Sequence, residues 1–472
     1  SNYEVRSAAE ALSVHPIVSV PLTRGRPGGP TPLAQPESAS VGPLAMADVN
    51  GDGLLDLFVG ARVIPGAWPL PAPSRLYLRK PDGTWERDAA NARAVSALGL
   101  VSAAMFSDLD GDGRPDLIAA SEWGPVRILH NVGGTLTDVT ARWGLSDQRS
   151  RWIGLAAGDF DGDGRMDLAA TSWGLNTPWV ATPANPYALV VGNFGGSGPG
   201  LVFARRDSAT GREKPLAPFA RLGLAIPSLR DRINTFADFS RATVDEVLGP
   251  DARGAVRVGA TTFAQLVLLN RGDHFETRVL PAAAQLSPAS PVVADFDGDG
   301  HEDLFLAQNF FPTEIDLPRF DAGAGLVLLG DGRGGFRPLD VRQSGISIPG
   351  DQRGAAVADM DGDGRVDLAV SQNGAPTTLW RNRGGAPGVR VRVNAGAGNP
   401  LGVGAQIRLV TRGMRGPIRE IHAGSGYWSM DAAASVLGAR TAPDSLWVRW
   451  PGGAQTLHAI PPGRRDLLIV KP

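Results

Sequence analysis

The chain has 472 residues, a formal charge of −2, 61 glycines, 38 prolines and a hydrophobic content of 43%. This length allows a large repeat domain and a small second domain, and the composition is typical of many short strands joined by tight turns. The lack of cysteine excludes disulfides, thiol nucleophiles and Cys-ligated zinc or iron–sulfur sites. No apolar run reaches the roughly 18 residues that would predict a membrane span.

Residues 1–40 are expected to form an N-terminal segment, with a short apolar run at residues 17–20. No signal peptide is visible. Because the chain begins with Ser1, we expect it to be a processed or trimmed form.

Five nine-residue segments then share the pattern Asp-x-Asp/Asn-Gly-Asp-Gly-x-x-Asp. They are Asp48–Asp56, Asp108–Asp116, Asp159–Asp167, Asp295–Asp303 and Asp359–Asp367. Each loop lies between two short apolar stretches. A third and a fourth apolar stretch often follow in the same unit. Four short strands in each unit predict the blades of a β-propeller.

Between the third and fourth loops the pattern is degenerate. Segment Gly192–Leu201 aligns with Gly158–Leu168 but has no aspartate, so it predicts a turn without a metal. The apolar spacing of residues 205–250 predicts a partly helical insertion. We expect an all-β propeller over residues 41–387 with seven blades (alternative: six). The seventh would come from the middle region or from the N-terminal run paired with a late strand.

The composition changes after Gly384–Pro387, and residues 388–472 are expected to form a small β-domain. This domain should pack on the propeller without completing it as a regular blade. Trp447 and Trp450 alternate along one strand and are interpreted as packing residues. His422 is interpreted as a structural residue.

The loop aspartates predict calcium sites. Side chains at positions 1, 3, 5 and 9 and the carbonyl at position 7 supply the oxygens that Ca²⁺ prefers, and glycines at positions 4 and 6 allow the sharp turn. An EF-hand is excluded because position 12 is apolar in all five loops. Carboxylates this close repel one another without a cation, so about five structural Ca²⁺ ions are expected. The predicted ligands are Asp48, Asn50, Asp52, Leu54, Asp56, Asp108, Asp110, Asp112, Arg114, Asp116, Asp159, Asp161, Asp163, Arg165, Asp167, Asp295, Asp297, Asp299, His301, Asp303, Asp359, Asp361, Asp363, Arg365 and Asp367.

A second site is predicted at the opposite end of the blades. Each loop joins the first strand of a blade to the second, so residues before the first strand and after the second should meet there. They are polar or aromatic, which suits a planar, sugar-like or anionic ligand, although they could also only plug the channel or cap strand ends. The predicted ligand-binding residues are Arg62, Glu122, Trp123, Arg151, Trp152, Trp173, Asn176, Asn309, Phe310, Gln352, Arg353 and Asn373.

The motifs also carry a family resemblance. The five loops with their flanking strands resemble the FG-GAP/VCBS repeats of integrin α-subunit propellers and their bacterial relatives. Gly402–Leu409, Arg419–Tyr427 and Val448–Gly453 resemble the ASPIC/UnbV domain, and the combination over about residues 40–472 is similar to the cartilage acidic protein family. The resemblance implies a calcium-loaded propeller that is secreted, periplasmic or on the cell surface, without a settled activity. UnbV-type proteins also resemble components of bacterial natural-product gene clusters, enediynes included.

Three functions remain open at this stage. The first is a recognition propeller that binds a small molecule, a glycan or a protein on the face opposite the calcium loops. The second is an enzyme or substrate-binding protein of natural-product biosynthesis, which would be cytoplasmic, and the third is a structural surface protein. No catalytic motif is recognisable, so no catalytic residue is assigned. No basic run with interleaved aromatic residues predicts a nucleic-acid partner.

Overall fold

The computed structural model of the protein describes residues 38–194, 200–313 and 317–472, together with the backbone of four two-residue strands near the N-terminus. Val18–Ser19 pairs with Thr31–Pro32, and Leu22–Thr23 pairs with Arg26–Pro27, both antiparallel. The described part of the N-terminal apolar run therefore pairs within its own segment and not with a late strand. The rest of the predicted 1–40 segment before residue 38 lies outside the described residues.

Five antiparallel sheets each carry one Asp-rich loop between their first and second strands. The first sheet contains Ser40–Ala47, Asp56–Val63, Arg75–Arg79 and Trp85–Arg87. The second contains Leu100–Ser107, Asp116–Val132, Thr135–Asp138 and Arg149–Arg151. The third contains Gly154–Gly158, Asp167–Thr171, Leu266–Asn270 and Phe275–Val279. The fourth contains Ala289–Ala294, Asp303–Gln308, Leu326–Gly330 and Phe336–Pro338. The fifth contains Asp351–Ala358, Asp367–Asn373 and Ala375–Trp380.

Local hydrogen bonds hold each Asp-rich loop in its turn. In the first loop, Asp48 accepts the Gly51 N–H on Oδ1 at 2.8 Å and the Gly53 N–H on Oδ2 at 2.9 Å. The two glycines have φ values of 79° and 85°, a region that glycine enters without a Cβ clash. The carboxylate of the last residue, Asp56, accepts the N–H groups of Val49 at 2.9 Å and Arg79 at 3.0 Å. The turn is thereby joined to the third strand of its own sheet.

The third sheet is interrupted by a nested insertion between residues 171 and 266. A separate four-stranded sheet lies there, with the strand order Glu213–Pro215, Gly200–Arg206, Tyr187–Gly192 and Val256–Ala260. The degenerate loop expected at residues 193–200 joins two of these strands, and residues 195–199 of it lie outside the described residues. The insertion also contains the helices Phe219–Ala225, Leu229–Arg232, Phe236–Arg241 and Val244–Leu248 and the 3-10 helix Gly249–Gly254.

Three further short helices connect strands elsewhere. They are Ala92–Ser96, the 3-10 helix Ala282–Leu286 and Val341–Ser344. In the parts of the chain that the structure describes, no helix has the length and apolar character needed to cross a membrane.

Successive sheets are tied to one another at their loop ends. The first strands of neighbouring sheets lie side by side, in chain order from the first sheet to the fifth. A backbone carbonyl at position 2 of a loop also accepts a hydrogen bond from the next sheet in four cases. The bonds run from Asn131 to Val49 at 2.9 Å, Asn270 to Leu109 at 2.8 Å, Gly334 to Phe160 at 3.0 Å and Asn382 to Phe296 at 2.7 Å. The all-β class is therefore confirmed, whereas the blade count of seven or six stays a prediction.

The C-terminal residues form two sheets around their own apolar core. One sheet contains Ser435–Leu437, Val389–Asn394 and Asp466–Val470, the last two strands being parallel. The other contains Met414–Arg415, Gln406–Thr411, Ser445–Arg449 and Gln455–Ala459, with Arg419–Glu420 also paired to Gln406–Thr411. Trp450 is buried in this core, while Trp447 is buried on the side that meets the second and third sheets.

One segment of the C-terminal part, Arg419–Ala432, runs between the first strands of the loop-bearing sheets; we call it the central segment. It makes single β-bridges from Ala423 to Met46 and from Gly426 to Leu155. Asp431 accepts the N–H of Val357 at 3.0 Å. The segment therefore contacts the first, third and fifth sheets at the first strand of each.

Candidate functional site

The Asp-rich loops gather carboxylates of one sign. In the third loop, oxygens of Asp159, Asp161 and Asp167 lie within 4.8 Å of one another. Comparable groups occur in the second, fourth and fifth loops: Asp108 with Asp110 and Asp112, Asp295 with Asp297 and Asp299, and Asp359 with Asp361 and Asp367. The first loop has Asn50 at position 3, and an amide oxygen is also a ligand for Ca²⁺. These clusters could hold metal ions.

The electrostatics of the loops fit a bound cation. Burial, together with neighbouring carboxylates, raises the pKa of Asp159 to about 7 and the pKa of Asp167 and Asp303 to about 8. Oδ1 of Asp159 is also buried without a hydrogen-bond partner. A divalent cation would supply both the missing positive charge and the missing partner. The donor set is all oxygen, which is the chemistry of Ca²⁺.

Position 7 of each loop makes contacts in addition to the carbonyl ligand that was predicted for it. Its N–H donates to the position-5 carboxylate, as from Arg165 to Asp163 at 2.9 Å. The arginine side chains at this position reach the same carboxylates: Arg165 lies 2.6 Å from Asp163, Arg365 lies 2.9 Å from Asp363, and Arg114 pairs with Asp112. The position-5 aspartate therefore has a cationic partner from position 7 in three loops, and Asp299 of the fourth loop pairs with Arg440. The predicted carbonyl ligands at Leu54, Arg114, Arg165, His301 and Arg365 stay predictions.

The C-terminal domain rests on the loop end of the sheets. Arg449 Nη2 lies 2.6 Å from Asp108 Oδ2, and the Ile418 N–H donates to Asp159 Oδ2 at 2.9 Å. Arg419 forms a buried ion pair with Glu302, at position 8 of the fourth loop. The predicted metal loops are thus also the surface on which this domain is held.

A cavity lies at the opposite end of the same sheets. It brings together nine of the twelve predicted ligand-binding residues, contributed by all five loop-bearing sheets. They are Arg62, Glu122, Arg151, Trp152, Trp173, Asn309, Phe310, Gln352 and Arg353. Positions hundreds of residues apart in the chain therefore meet around one space, as the alternation of loop and strand predicted.

Glu122 holds the charged groups of this cavity together. Its carboxylate accepts from Arg62 Nη2 at 2.8 Å, Arg151 Nε at 2.8 Å and Arg151 Nη2 at 2.6 Å, and from Trp68 Nε1 at 3.3 Å. Burial alone would raise its pKa, but the two guanidiniums lower the pKa to about 2. Glu122 therefore stays ionised at every physiological pH and fixes both arginines.

The aromatic rings of the site pack mainly against the protein itself. The guanidinium carbon of Arg151 lies 4.3 Å from the centroid of Trp173 and 5.1 Å from that of Trp123. Trp173 also packs edge-on against Phe310, with a centroid distance of 4.9 Å. Arg353 lies 4.6 Å from the Phe310 centroid. Much of the expected aromatic surface is therefore used to hold the arginines.

Three predicted residues lie outside the cavity lining. Trp123 is buried in the neighbouring aromatic cluster, Asn176 is exposed and donates to Leu286 O at 3.1 Å, and Asn373 is exposed and donates to Asp351 Oδ2 at 3.2 Å. Asn309 does line the cavity, but its amide is already bonded to Gly323 N and O, each at 2.8 Å.

Sequence reasoning missed several lining residues, including Ser102, Ser290 and Tyr427. Ser290 precedes the apolar part of its strand, so the rule that selected Gln352 could have found it. Tyr427 belongs to the central segment, and no local signal links the C-terminal domain to this end of the sheets.

Comparisons with known proteins agree with these motifs. The family model for the FG-GAP-like repeat matches residues 108–170, and the model for ASPIC and UnbV matches residues 395–472. Cartilage acidic protein 1 from Xenopus tropicalis is 24% identical over 370 residues, which cover 75% of this chain and 42% of that protein. The chain thus spans less than half the length of this curated relative.

Two solved structures are similar only at a low level. The exotype rhamnogalacturonan lyase YesX matches at 12% identity and a TM-score of 0.33, over 95% of this chain and 80% of its own. The V. cholerae biofilm matrix protein Bap1 matches at 13% identity and a TM-score of 0.18, over 93% and 72% of the two chains. Neither value supports an argument about fold or function. The chain therefore carries an FG-GAP-like repeat followed by a C-terminal ASPIC/UnbV domain, and it is similar to cartilage acidic protein 1.

Proposed function

We propose that the protein is a calcium-stabilised β-propeller that recognises a small ligand in the cavity opposite its calcium loops. The observation that carries this proposal is the convergence of nine polar or aromatic positions, from five sheets, on one space. A scaffold whose strand ends alternate in this way can hold such groups rigidly while their identities vary.

Calcium is proposed as the cation of all five loops. The loops share one spacing of ligand positions, and four of them bring carboxylates within 4.8 Å. Calcium binding at the far end of the sheets would fix the turns from which the strands start. The cavity would then depend on calcium for its shape and not for direct contact with the ligand.

The proposed location is outside the cytoplasm, at the cell surface, in the periplasm or secreted. Calcium in the loops would stabilise them, and extracellular modules commonly work with calcium affinities of about 10⁻⁴–10⁻³ M. The family resemblance supports the same location.

The proposal can be tested with a thermal-shift screen of polar metabolites. The wild-type protein would be compared with Arg62→Gln and Arg353→Gln, whose side chains are 28% and 25% exposed at the cavity. A matched control is Arg392→Gln, an exposed residue paired with Asp466 at 3.1 Å in the C-terminal domain. We expect at least one compound to raise the melting temperature of the wild type and the control but not of the cavity variants.

Trp173→Ala is a poorer test, because truncating a buried tryptophan costs about 3–5 kcal/mol of stability whatever its function. Compounds that stabilise all four proteins equally, or a screen without any stabilising compound, would contradict ligand recognition at this cavity.

A further inference from the structure

The charges around the cavity restrict the kind of ligand. Its lining carries three guanidiniums, those of Arg62, Arg151 and Arg353, and a single carboxylate, that of Glu122. Asp351 pairs with Arg353 at 2.9 Å. One positive charge is left without a partner among these groups. A cationic ligand would therefore be repelled, and a ligand with one negative charge would restore the balance.

Two of the arginines keep hydrogen-bond donors for such a ligand. Arg62 donates one N–H to Glu122 at 2.8 Å, and Arg353 donates one to Asp351 at 2.9 Å. A guanidinium has five N–H groups, and in the described parts of the chain the others have no protein acceptor. Arg151 is different, since it donates twice to Glu122 and lies among tryptophan rings. It positions Glu122 and is not a ligand contact.

Three other lining residues have buried polar atoms without partners. They are Nε1 of Trp152, Oγ of Ser290 and Oε1 of Gln352. Each of these residues is at most 3% exposed. Gln352 Nε2 donates to Ile348 O at 2.7 Å, so the unpartnered Oε1 is an acceptor. A buried polar group without a partner is unfavourable, and these atoms show that the wall directly behind the cavity surface is polar.

We infer that the ligand of this cavity is a small hydroxycarboxylate. Its carboxylate accepts hydrogen bonds from the free N–H groups of Arg62 and Arg353, and its hydroxyl oxygen accepts from a further N–H group of the same two arginines. This inference rests on the proposed recognition function and specifies its ligand. A carboxylate matches the planar fork of arginine, and its single negative charge balances the one unpaired positive charge of the cavity. A phosphate monoester would bring nearly two negative charges.

The size of the cavity agrees with a molecule of a few carbon atoms. Its volume of about 110 Å³ is below the roughly 300–1,000 Å³ of sites for drug-sized ligands. The same chemistry could come from a free acid or from the carboxylate end of a sugar acid that enters the cavity while its ring stays outside. The two sources can be separated by experiment.

The test is calorimetric titration of the calcium-loaded protein with D-glycerate and D-glucuronate. Glycerol lacks the carboxylate, propionate lacks the hydroxyls, and ethanolamine carries a positive charge. We expect one of the two acids to bind at least about tenfold more tightly than all three controls, and Arg353→Gln to weaken it at least about tenfold. That factor corresponds to the roughly 1.5–3 kcal/mol of a charged hydrogen bond. Arg392→Gln should bind like the wild type.

Tighter binding of D-glycerate would identify a free acid as the source, and tighter binding of D-glucuronate a sugar acid. Failure of both acids, or binding that Arg353→Gln leaves unchanged, would overturn the inference. A neutral or cationic compound that depends on Arg62 and Arg353 would also overturn the ligand class, while the recognition function would stand. Only a metabolite screen without any cavity-dependent ligand would overturn both.

Discussion

Charged side chains cluster at both ends of the loop-bearing sheets, but their signs are arranged differently at the two ends. At the loop end, groups of like sign come from one nine-residue segment, as with Asp159, Asp161 and Asp167. At the cavity end, groups of opposite sign come from different sheets or strands, as with Glu122, Arg62 and Arg151. The first arrangement places like charges together, which a bound cation would offset, whereas the second pairs its carboxylates with guanidiniums and leaves one positive charge in surplus.

The carboxyl groups of the two ends show this difference directly. Burial, and to a smaller extent the neighbouring Asp161 and Asp159, raises the pKa of Asp167 to about 8. Glu122 is also buried, yet two guanidiniums lower its pKa to about 2. Burial makes a carboxylate costly only where the protein supplies no opposite charge. Stability at the loop end should therefore depend on calcium and pH, and stability at the cavity end on individual side chains.

The largest expected effect is that of calcium removal. A ligand that binds only the folded state contributes about 2.7 kcal/mol per site at 100 times its Kd. With five loops, chelation should lower the melting temperature by about 10 °C or more in calorimetry. Readdition of Mg²⁺ should not restore it, because Mg²⁺ requires shorter, near-octahedral coordination. An unchanged melting curve after verified removal of calcium would contradict a structural role.

The second largest effect is expected when the charge cluster of the cavity is broken. Glu122→Gln leaves Arg62 and Arg151 without their buried anion, and we expect a loss of about 3–5 kcal/mol in urea unfolding. Glu213→Gln is the matched control, since Glu213 is 33% exposed and lies 3.5 Å from Arg257. It should cost less than about 1 kcal/mol. Equal losses of unfolding free energy in the two variants would contradict a special contribution of the buried Glu122 carboxylate to stability.

The metal-free protein should have an unusual pH dependence. The folded-state pKa of Asp159 is about 7 and that of Asp167 and Asp303 about 8, against 3.8 without the fold. Between these values the folded state holds more protons than the unfolded state, so stability falls as pH rises. His422, whose pKa burial lowers to about 4, opposes this trend below pH 6.5 but is a single group.

We therefore expect protein freed of calcium to be more stable at pH 5 than at pH 8, by on the order of 2 kcal/mol. Calcium should remove this trend, because it binds the ionised carboxylates. Chemical unfolding at both pH values, with and without calcium, measures the effect, and greater stability of the calcium-free protein at pH 8 would contradict it.

The smallest effect is expected where the C-terminal domain meets the loops. Arg449 is 15% exposed and lies 2.6 Å from Asp108, whereas Arg440 is 68% exposed and lies 2.9 Å from Asp299. Arg449→Met should cost about 1–3 kcal/mol, and Arg440→Met less than about 1 kcal/mol. Hydrogen exchange of the C-terminal strands would show whether the loss is confined to this domain.

What the sequence alone determined is mainly local. The Asp-rich loops could be recognised because their ligands, turn glycines and capping bonds lie within nine residues, as from Asp48 to Asp56. The convergence at the cavity was also predictable, because each loop reverses the chain once and so sends residues such as Arg62 and Gln352 to the same end. Both predictions follow from the geometry of a single hairpin, which recurs in each loop-bearing sheet.

Only the tertiary structure decided how non-local parts combine. The segment around Gly192 has the repeat's pattern but belongs to a nested sheet, because its strand pairs with Val256–Ala260. Tyr427 reaches the cavity because the central segment runs between the first strands of the loop-bearing sheets. The use of Trp173 to hold Arg151 also depends on packing across sheets. Such contacts join residues far apart in the chain, and no local spacing or propensity encodes which distant partner a strand or ring will meet.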